Sequence, residues 1–423
     1  MKKVLIIAKY FGTRIPGLLK YLPEQGWLPI LLSSSAWPEE IPPDVKSIRT
    51  SYGESLGFLK KLFGLKSQEE IRNRVREKIV TSSDKSLTDR LLTFCGELIN
   101  YPDSEKGWRT YAVEAAEELI KQGDIDAIIS SSSPVTCHVI AYDLKMEYGI
   151  PWVADLRDLW SQNHNYSYSR LRRLFDRRLE TRVLSAADAL VTVTQPWADK
   201  LGKLYGEKKR YAITNGFDQE NRELPPIELT DKFTITYTGN IYGGKQDPGK
   251  LFSALNSLIS EKQVNAEDFQ IRLYGPRLKW LDNKITDYHL SDIAKQYGTV
   301  PHEIAINKQR ESQILLLLDW DDPEETGWYP LKVFEYFASE RPILATGGVS
   351  GNALGNLLDE TGAGIHAVKA EDIKTALLKL YREYKLEGRT RFNGIQAEIN
   401  KYSQREMAAK FAGILEHLVS EGN

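Results

Sequence analysis

The chain has 423 residues, 41% of them hydrophobic and 27% charged, which is too long for a single hydrophobic core. Its 56 Lys and Arg residues against 58 Asp and Glu give a formal net charge of -2, so no overall field draws it to nucleic acid or to a membrane. Cys95 and Cys137 stand far apart without metal-ligand spacing, which argues against a disulfide framework or structural zinc and favours a reducing cytoplasm.

Short apolar runs alternate with helical patterns along the first half of the chain. They lie at Val4–Ala8, Leu28–Leu32, Ala127–Ile129, Trp152–Ala154 and Ala189–Val193. Such alternation indicates parallel strands that helices cover on both faces. The first run follows two lysines, as in a signal peptide, but residues 10–14 interrupt it, so we interpret it as a buried strand.

A second series of strand-like runs follows a polar gap. These runs lie at Phe233–Tyr237, Phe269–Tyr274, Ile314–Leu318, Pro342–Ala345 and Gly364–Val368. The gap shows no strand or helix period and carries Pro225 and Pro226, as expected of a linker. The sequence thus predicts an N-terminal domain over 1–217, a linker over 218–231, a C-terminal domain over 232–402 and a helix over 403–423 that is free to pack back on either domain.

Basic side chains cluster in one helical segment, and arginines occupy positions 172, 173, 177 and 178. The interpretation we favour is the solvated face of an amphipathic helix. The alternative is contact with anionic lipid headgroups or with a lipid-linked acceptor. No apolar run approaches the roughly 20 residues that a membrane-spanning helix needs, so we expect none.

The turn after the first strand contains Gly12, Thr13 and Arg14, followed by Pro16 at a predicted helix start. Ligands bind open parallel sheets beyond the carboxyl ends of the strands, so these three residues are candidates for an acceptor or cleft site. The turn lacks the spacing of the dinucleotide-binding fingerprint, which argues against a Rossmann dehydrogenase.

A glycine-rich turn with a lysine follows the first strand of the second series. Gly239, Asn240 and Lys245 lie there, just before a predicted helix. Backbone amides and a lysine at such a place can hold a diphosphate. The GK[ST] ending of a nucleotide triphosphatase loop is absent, so Lys245 is expected to act as a fixed cation without magnesium.

A third turn, over residues 326–337, follows the strand at Ile314–Leu318. Pro330 marks a helix start there, with Lys332 and Glu335 one turn apart. A carboxylate at position 335 can accept two hydroxyl hydrogen bonds from one ribose, although an ordinary surface ion pair with Lys332 is the alternative.

Charged residues also stand at the end of the strand Trp152–Ala154. Asp155, Arg157 and Asp158 follow it directly. Three charges at a strand's carboxyl end rarely serve a core, so we expect a cleft site.

The stretch 330–345, PLKVFEYFASERPILA, resembles the donor motif of the retaining GT-B glycosyltransferases of family four, which include many bacterial envelope-sugar transferases. Asp188–Thr194 resembles a strand of the family, and the Asn-Gly-x-Asp sequence at 215–218 resembles the turn that leads into the family's linker. The similarity covers most of the chain and is weak over 51–125. It implies an α/β protein of the GT-B fold, with two Rossmann-like doubly wound domains facing a central cleft.

The resemblance also implies a role for each matched residue. Glu335 would bind the nucleotide ribose, and Gly239 with Lys245 the diphosphate, although Asn240 stands where relatives often have arginine. Gly327 replaces the first glutamate of the family's Glu-x7-Glu motif, which leaves Glu325 or the amides around Trp328 and Tyr329 to contact the sugar. The implied donor site is Gly239, Asn240, Lys245, Gly327, Trp328, Tyr329, Pro330, Leu331, Lys332 and Glu335.

Arg157 stands where many relatives carry a histidine near the reacting sugar, with Asp158 beside it. The implied catalytic residues are therefore Arg157, Asp158 and Lys245. The implied reaction is a same-face displacement in which the departing diphosphate takes the acceptor proton. We assign no Asp-x-Asp motif to a manganese site, and we expect neither a metal ion nor a cofactor besides the nucleotide-sugar substrate.

The resemblance predicts a hexosyltransferase-like cytoplasmic enzyme of cell-envelope or exopolysaccharide synthesis. Its partners would be a nucleotide-sugar donor, a glycan or lipid-linked acceptor and the inner membrane surface, and not nucleic acid. Two alternatives stay open: a noncatalytic nucleotide-sugar binding protein, and a GT-B nucleotide-sugar epimerase, although the acidic and histidine pair expected of an epimerase is not evident in the sequence.

Overall fold

The computed structural model describes residues 1–10, 12–38, 41–53, 97, 100–163, 165–166, 168–222 and 224–422. The chain forms two compact units, Met1–Ile213 with Ala408–Asn423, and Thr214–Met407. Cys95 lies outside the described residues, and Cys137 is buried and free.

The first unit is built on a seven-stranded parallel sheet in the order β3-β2-β1-β4-β5-β6-β7. Its strands are β1 Lys2–Ile7, β2 Trp27–Ser34, β3 Ser47–Thr50, β4 Ala127–Ser132, β5 Trp152–Leu156, β6 Ala189–Thr192 and β7 Arg210–Ala212. Its helices include α1 Arg14–Tyr21, α2 Arg109–Lys121, α3 Thr136–Tyr148, α4 Arg170–Ser185 and α5 Gln195–Tyr205. Every residue of β4 and β5 is buried, as expected of central parallel strands covered on both faces.

The second unit is built on a six-stranded parallel sheet in the order β10-β9-β8-β11-β12-β13. Its strands are β8 Phe233–Thr238, β9 Phe269–Tyr274, β10 Ala294–Gly298, β11 Ile314–Leu318, β12 Ile343–Thr346 and β13 Gly364–Ala367. Its helices include α6 Gly249–Ser260, α7 Lys279–Asp287, α8 His302–Arg310, α9 Lys332–Ser339, α10 Ala353–Thr361, α11 Ala370–Glu387 and α12 Gln396–Asn400. Aliphatic and aromatic side chains of these strands and helices form its core.

Both predicted series of parallel strands are confirmed, and the ends of each predicted run lie within three residues of the ends of a strand. The sequence pattern does not reveal three strands, β3, β7 and β10. They lie at or near the sheet edges and contain several exposed or half-buried residues. Without a second buried face, such strands lack the continuous apolar run that marks the central strands.

The last helix, α13 Gln404–Gly422, packs against the first unit over most of its length. The Arg14 guanidinium lies 5.0 Å from the centre of the Phe411 ring. Lys2 pairs with Glu416 near the other end of the helix. Among the described residues, no helix is both long and apolar enough to cross a bilayer.

Candidate active site

The chain turns sharply after β8 at Gly239, the first residue of the predicted glycine-rich turn. Gly239 has a φ of 114°, a conformation that disfavours any side chain. A Cβ atom there would lie 2.2 Å from Cε of Lys332, so the lysine occupies the space that a side chain would take. The Gly239 amide donates to the Tyr274 carbonyl at 2.6 Å. The turn therefore brings backbone and one lysine together at the carboxyl end of β8.

Lys332 opens helix α9 and reaches back over this turn. Its ammonium lies 5.3 Å from the centre of the Tyr237 ring. It forms no ion pair with any residue that the structure describes. Burial lowers the pKa of Lys332, and the charge of Glu335 opposes that shift. A half-buried cation whose main contact is an aromatic ring is well placed to receive an anion.

Glu335 lies one helical turn beyond Lys332 and is oriented by Gln309, which sequence reasoning missed. Nε2 of Gln309 lies 3.4 Å from Oε2 of Glu335 and donates to Oγ1 of Thr238 at 2.9 Å. Oγ of Ser339 donates to Oε1 of Gln309 at 2.9 Å. Gln309 is buried whereas the other residues of α8 are exposed or half-buried, and no periodicity in the sequence distinguishes its inward-facing amide from them.

Tyr336 ties α9 to the sheet beneath the site. Its hydroxyl donates to the Leu316 carbonyl at 3.1 Å and accepts from the Thr238 amide at 3.3 Å. Since β8 and β11 are neighbours, one side chain fixes the helix to both strands. Lys332 and Glu335 are thereby held at this edge of the sheet.

Lys245 lies on the glycine-rich turn but has an anionic partner already. Its Nζ lies 2.7 Å from Oδ2 of Asp322, and 46% of its side chain is exposed. Its carbonyl accepts from the Asp321 amide at 2.8 Å. Asn240, on the same turn, accepts at its carbonyl a 2.6 Å hydrogen bond from the Tyr237 hydroxyl. An added anion would therefore contact Lys245 only if this lysine shared its charge with Asp322 or broke that ion pair.

The loop before α9 carries the other predicted donor residues. Oε1 of buried Glu325 accepts from the Gly327 amide at 2.8 Å, so this carboxylate braces the loop from within. The Trp328 and Trp320 rings lie 5.4 Å apart. The remaining predicted residues are Tyr329, half-buried and 6.1 Å from the Phe334 ring, Pro330, buried, and Leu331, exposed. Tyr242 extends the aromatic group, 6.1 Å from Trp320.

In the first unit, Arg14 is turned into the interior. Its Nε and Nη2 donate to both oxygens of Asp155, at 2.9 and 2.6 Å, and its Nη1 donates to the Ile213 carbonyl. Oγ of Ser131 donates to Asp155 as well, at 2.7 Å. Arg14 is 1% exposed and Asp155 fully buried, so both charges satisfy each other inside the unit. Arg14, predicted as an acceptor or cleft residue, thus has its guanidinium buried against Asp155, and the pair ties α1 to β4 and β5.

The other first-unit candidates lie nearer the surface. Arg157 donates from Nε to the Ser132 carbonyl at 2.8 Å and from Nη2 to the Ser133 carbonyl at 3.1 Å, which orients the loop after β4. Burial lowers the pKa of Arg157. Asp158 and Gly12 are exposed and Thr13 half-buried. These residues follow β1 and β5 at the carboxyl edge of the first sheet.

This chain is related to known proteins through one family model and through its fold. Residues 68–221, less than half of the chain, match the model of Glycosyltransferase Family 4. No curated protein sequence matches significantly. A sucrose-phosphate synthase from Thermosynechococcus elongatus has a similar structure, with a TM-score of 0.62, 13% identity and 100% of both chains covered. The chain has the GT-B fold.

Two further solved structures share the GT-B fold at low identity. Anabaena HepE, solved in complex with UDP and glucose, has a TM-score of 0.61 and 12% identity over 99% of this chain and 100% of that one. A Listeria monocytogenes protein described as a putative UDP-N-acetylglucosamine 2-epimerase has a TM-score of 0.51 and 12% identity over 100% of this chain and 98% of that one. Because a protein described as a sucrose-phosphate synthase and one described as a putative epimerase share it, the fold alone does not decide the reaction.

An aspartate and histidine pair lies beneath a glycine-rich loop of this GT-B chain, and no sequence pattern indicates it. Oδ2 of Asp319 lies 3.2 Å from Nε2 of His366 and accepts from Nδ2 of Asn352 at 2.7 Å. Oδ1 of Asn352 in turn accepts from the Gly355 amide, which caps α10. A Cβ at Gly348 would lie 2.1 Å from Asp319, so the loop needs glycine there. The pair positions the loop after β12 and is almost wholly buried.

The Asp319 and His366 pair predicts a pH-dependent contribution to stability. Burial alone would lower the pKa of His366, but its hydrogen bond to Asp319 and the charge of Asp319 outweigh burial and raise that pKa. A raised folded-state pKa stabilises the fold fully below the unfolded value of about 6.5 and loses effect as pH rises through the folded value. We expect His366→Gln to reduce the free energy of unfolding more at about pH 5 than at about pH 9, measured by urea titration. An equal reduction at both pH values would contradict the charged pair.

Two aspartates of the second unit, Asp319 and Asp321, have the spacing of an Asp-x-Asp motif, but each has partners within the protein. Asp319 is held by His366 and Asn352, and Oδ1 of Asp321 lies 2.8 Å from Nζ of Lys250. Within the ranges that the structure describes, no group of three or more His, Cys, Asp or Glu side chains is arranged to hold a metal ion. Metal independence stays a prediction, and the assay below tests it with a chelator.

Proposed function

We propose that this chain is a retaining, metal-independent glycosyltransferase that moves a sugar from a nucleoside diphosphate to a glycan or lipid-linked acceptor. The observation that carries the proposal is the site at the carboxyl ends of β8 and β11. There Gly239, Lys332 and Glu335 are brought together by Gln309 and Tyr336. The family-four match over 68–221 and the GT-B fold support it.

The proposed donor is held at two points. The Glu335 carboxylate accepts hydrogen bonds from the two ribose hydroxyls, and Gln309 keeps it aimed. The diphosphate lies on the Gly239 turn, opposite the Lys332 ammonium and the positive end of helix α9. Lys245 joins the diphosphate from the opposite end of the turn when it leaves Asp322.

The proposed reaction needs leaving-group stabilisation more than acid–base chemistry by the protein. The bond from the sugar's anomeric carbon to the diphosphate oxygen breaks, and its electron pair stays on that oxygen. The acceptor oxygen bonds to the anomeric carbon on the same face, and its proton passes to the departing phosphate. Lys332 and Lys245 lower the energy of the charge that develops there.

We assign acceptor recognition to the first unit. Asp158, Gly12 and Thr13 follow its β-strands at the carboxyl edge of the sheet, and Arg157 holds the loop beside them. Buried Arg14 serves as a positioning residue through Asp155. We place the reaction in cytoplasmic synthesis of envelope glycans or exopolysaccharide, a proposal supported by the resemblance to envelope-sugar transferases.

A nucleotide-sugar epimerase is the second candidate, because the structure brings Asp319 and His366 together where the sequence showed no such pair. Their side chains are 2% and 5% exposed and engaged with the loop after β12. A buried pair cannot reach a substrate without moving that loop, so we favour the transferase. Change of the sugar's configuration without release of nucleotide would reverse this preference.

The decisive experiment measures donor binding and turnover of the purified chain. Calorimetry with a panel of nucleoside diphosphates and their sugars, in the presence of EDTA, is expected to find one tightly bound donor. We also expect slow release of the nucleoside diphosphate at a rate that EDTA does not change, because lysines and not a metal ion stabilise the leaving group. NMR of the transferred or hydrolysed sugar is expected to show that the first product formed has the same anomeric configuration as the donor.

Three results would overturn parts of this proposal. Binding without turnover on any glycan or lipid-linked acceptor favours the noncatalytic binding protein. Turnover that EDTA abolishes contradicts metal independence. Inverted configuration in the first product contradicts the retaining reaction.

A further inference from the structure

Helix α4 divides its side chains unevenly between the interior and solvent. Both of its acidic residues point inward: Asp176 is 2% exposed and Glu180 fully buried. Arg172 is also buried, with Nε 3.0 Å from Oδ2 of Asp176. Glu180 accepts from the Ser161 hydroxyl and amide. The carboxylates of α4 therefore cannot neutralise the arginines that face outward.

The outward side of α4 combines arginines with large apolar side chains. Leu171, Leu174 and Phe175 are 48%, 49% and 38% exposed and follow the i, i+3, i+4 spacing of one helical face. Arg170, Arg178 and Arg182 are exposed around them. We call these six residues the α4 outer face. The solvated face expected from the sequence would carry polar side chains at the three apolar positions.

This face belongs to a helix that is firmly held from within. Oγ of Ser169 caps its first turn by accepting from the Arg172 amide at 3.3 Å. Arg172 also donates to the Pro102 carbonyl at 2.6 Å, and the Tyr101 hydroxyl donates to the Phe175 carbonyl at 3.1 Å. The exposed apolar side chains are thus presented by an ordered helix.

Aromatic residues continue the same pattern just before the helix. Tyr168 is 43% exposed. The Arg173 guanidinium lies 4.5 Å from the centre of the Tyr166 ring, whose hydroxyl donates to Asp176 at 2.6 Å. Tyrosine, leucine and arginine together are the composition of surfaces that lie at a membrane interface, where apolar side chains enter the headgroup boundary and arginines meet phosphates.

We propose that the α4 outer face docks this protein on an anionic membrane surface, with the helix lying in the interface plane. Charge complementarity selects this occupant, because exposed cations surround the apolar stripe while the carboxylates of α4 are buried. The chain as a whole has a net charge of -2, so the attraction is local to this patch. The inference is independent of the proposed reaction, since it rests on residues that take no part in donor binding.

Flotation of the full chain with vesicles tests the proposal. We expect binding to vesicles of phosphatidylcholine with phosphatidylglycerol, little binding to phosphatidylcholine alone, and weaker binding as salt increases. Replacing Arg170 and Arg178 with glutamine is expected to weaken partition roughly thirtyfold, since each basic residue near an anionic surface contributes about 1 kcal/mol. Serine at positions 171, 174 and 175 is expected to abolish the binding that remains at high salt.

A matched control changes the same residue types elsewhere. Leu386 is 85% exposed, and Arg382 and Arg389 are exposed nearby, but acidic residues are interspersed among them. The triple variant Arg382→Gln, Leu386→Ser, Arg389→Gln is therefore expected to leave partition unchanged. Arg170→Lys with Arg178→Lys, which keeps the charges, should retain binding and so excludes misfolding as the cause of loss.

Several outcomes would overturn the proposal. They are equal binding to neutral and anionic vesicles, no binding to either, and equal loss in the α4 variants and the control. Binding of the α4 outer face to RNA or to a second copy of the chain in preference to vesicles would also overturn it. Donor turnover in solution, measured on the same variants, is expected to be unchanged, which separates this test from that of the reaction.

Discussion

Replacing Glu335 with alanine is expected to weaken donor binding by at least about a hundredfold, because two hydrogen bonds to a charged acceptor are lost at about 1.5 kcal/mol or more each. Glu335 lies at the carboxyl edge of β8 and β11, with Gln309 3.4 Å from one of its oxygens. Calorimetric titration with the nucleoside diphosphate alone measures the effect without turnover. The loss should be the same for the free diphosphate and for its sugar, since the ribose is common to both.

Two variants sharpen the test of Glu335. Glu335→Gln keeps the shape but loses the charge, and we expect intermediate affinity. Gln309→Leu leaves the carboxylate but removes its orienting amide, and we expect a smaller loss. Glu303→Ala, an exposed glutamate on the neighbouring helix α8, is the control and should bind donor normally. Normal affinity in Glu335→Ala would remove the ribose assignment.

The fold was predictable because its main signal is local in the sequence. Central strands such as β1 and β11 are continuous apolar runs, and their alternation with helices indicates a doubly wound α/β class. The edge strand β3 alternates exposed and half-buried residues, and its pairing with β2 depends on the sheet and not on its own pattern.

The site was predictable only in part. Spacing along one helix predicts which of its side chains are neighbours, but contacts with residues of other elements leave no local pattern in the sequence. Lys332 and Glu335 are one turn apart on α9, so their neighbourhood follows from the sequence. Gln309 comes from another helix, and nothing local marks it. Arg14 also has a partner that is distant in the sequence. Its place in a strand-end turn predicts an acceptor or cleft residue, and nothing local indicates that its guanidinium is buried against Asp155 on β5. In both cases, contacts between residues that are far apart in the sequence determine where the side chain lies.

The two lysines of the proposed donor site have different surroundings in the structure, although the sequence ranked Lys245 first. Lys245 already neutralises Asp322 and is 46% exposed, so water and a carboxylate screen its charge. Lys332 lies against the Gly239 turn, half-buried and with no ion-pair partner among the described residues. Because the surroundings of Lys332 are less polar than those of Lys245, its positive charge interacts more strongly with a nearby phosphate. Lys332 is therefore the stronger candidate for stabilising the leaving group.

Lys332→Met is expected to reduce kcat by about 10²- to 10³-fold, the usual cost of removing one preorganised group that stabilises developing charge. Lys245→Met should reduce kcat by less than about tenfold, because the charge of Lys245 is screened and shared with Asp322.

The pH profile of the reaction supplies an independent test of Lys332. Burial lowers the pKa of Lys332 in the free protein, so wild-type kcat/KM should fall on the alkaline side before an ordinary lysine would lose its proton. Lys332→Arg keeps a cation that does not titrate there, so this alkaline fall should disappear while much of the rate returns. An alkaline fall that persists in Lys332→Arg, or a larger loss in Lys245→Met than in Lys332→Met, would return the diphosphate to Lys245.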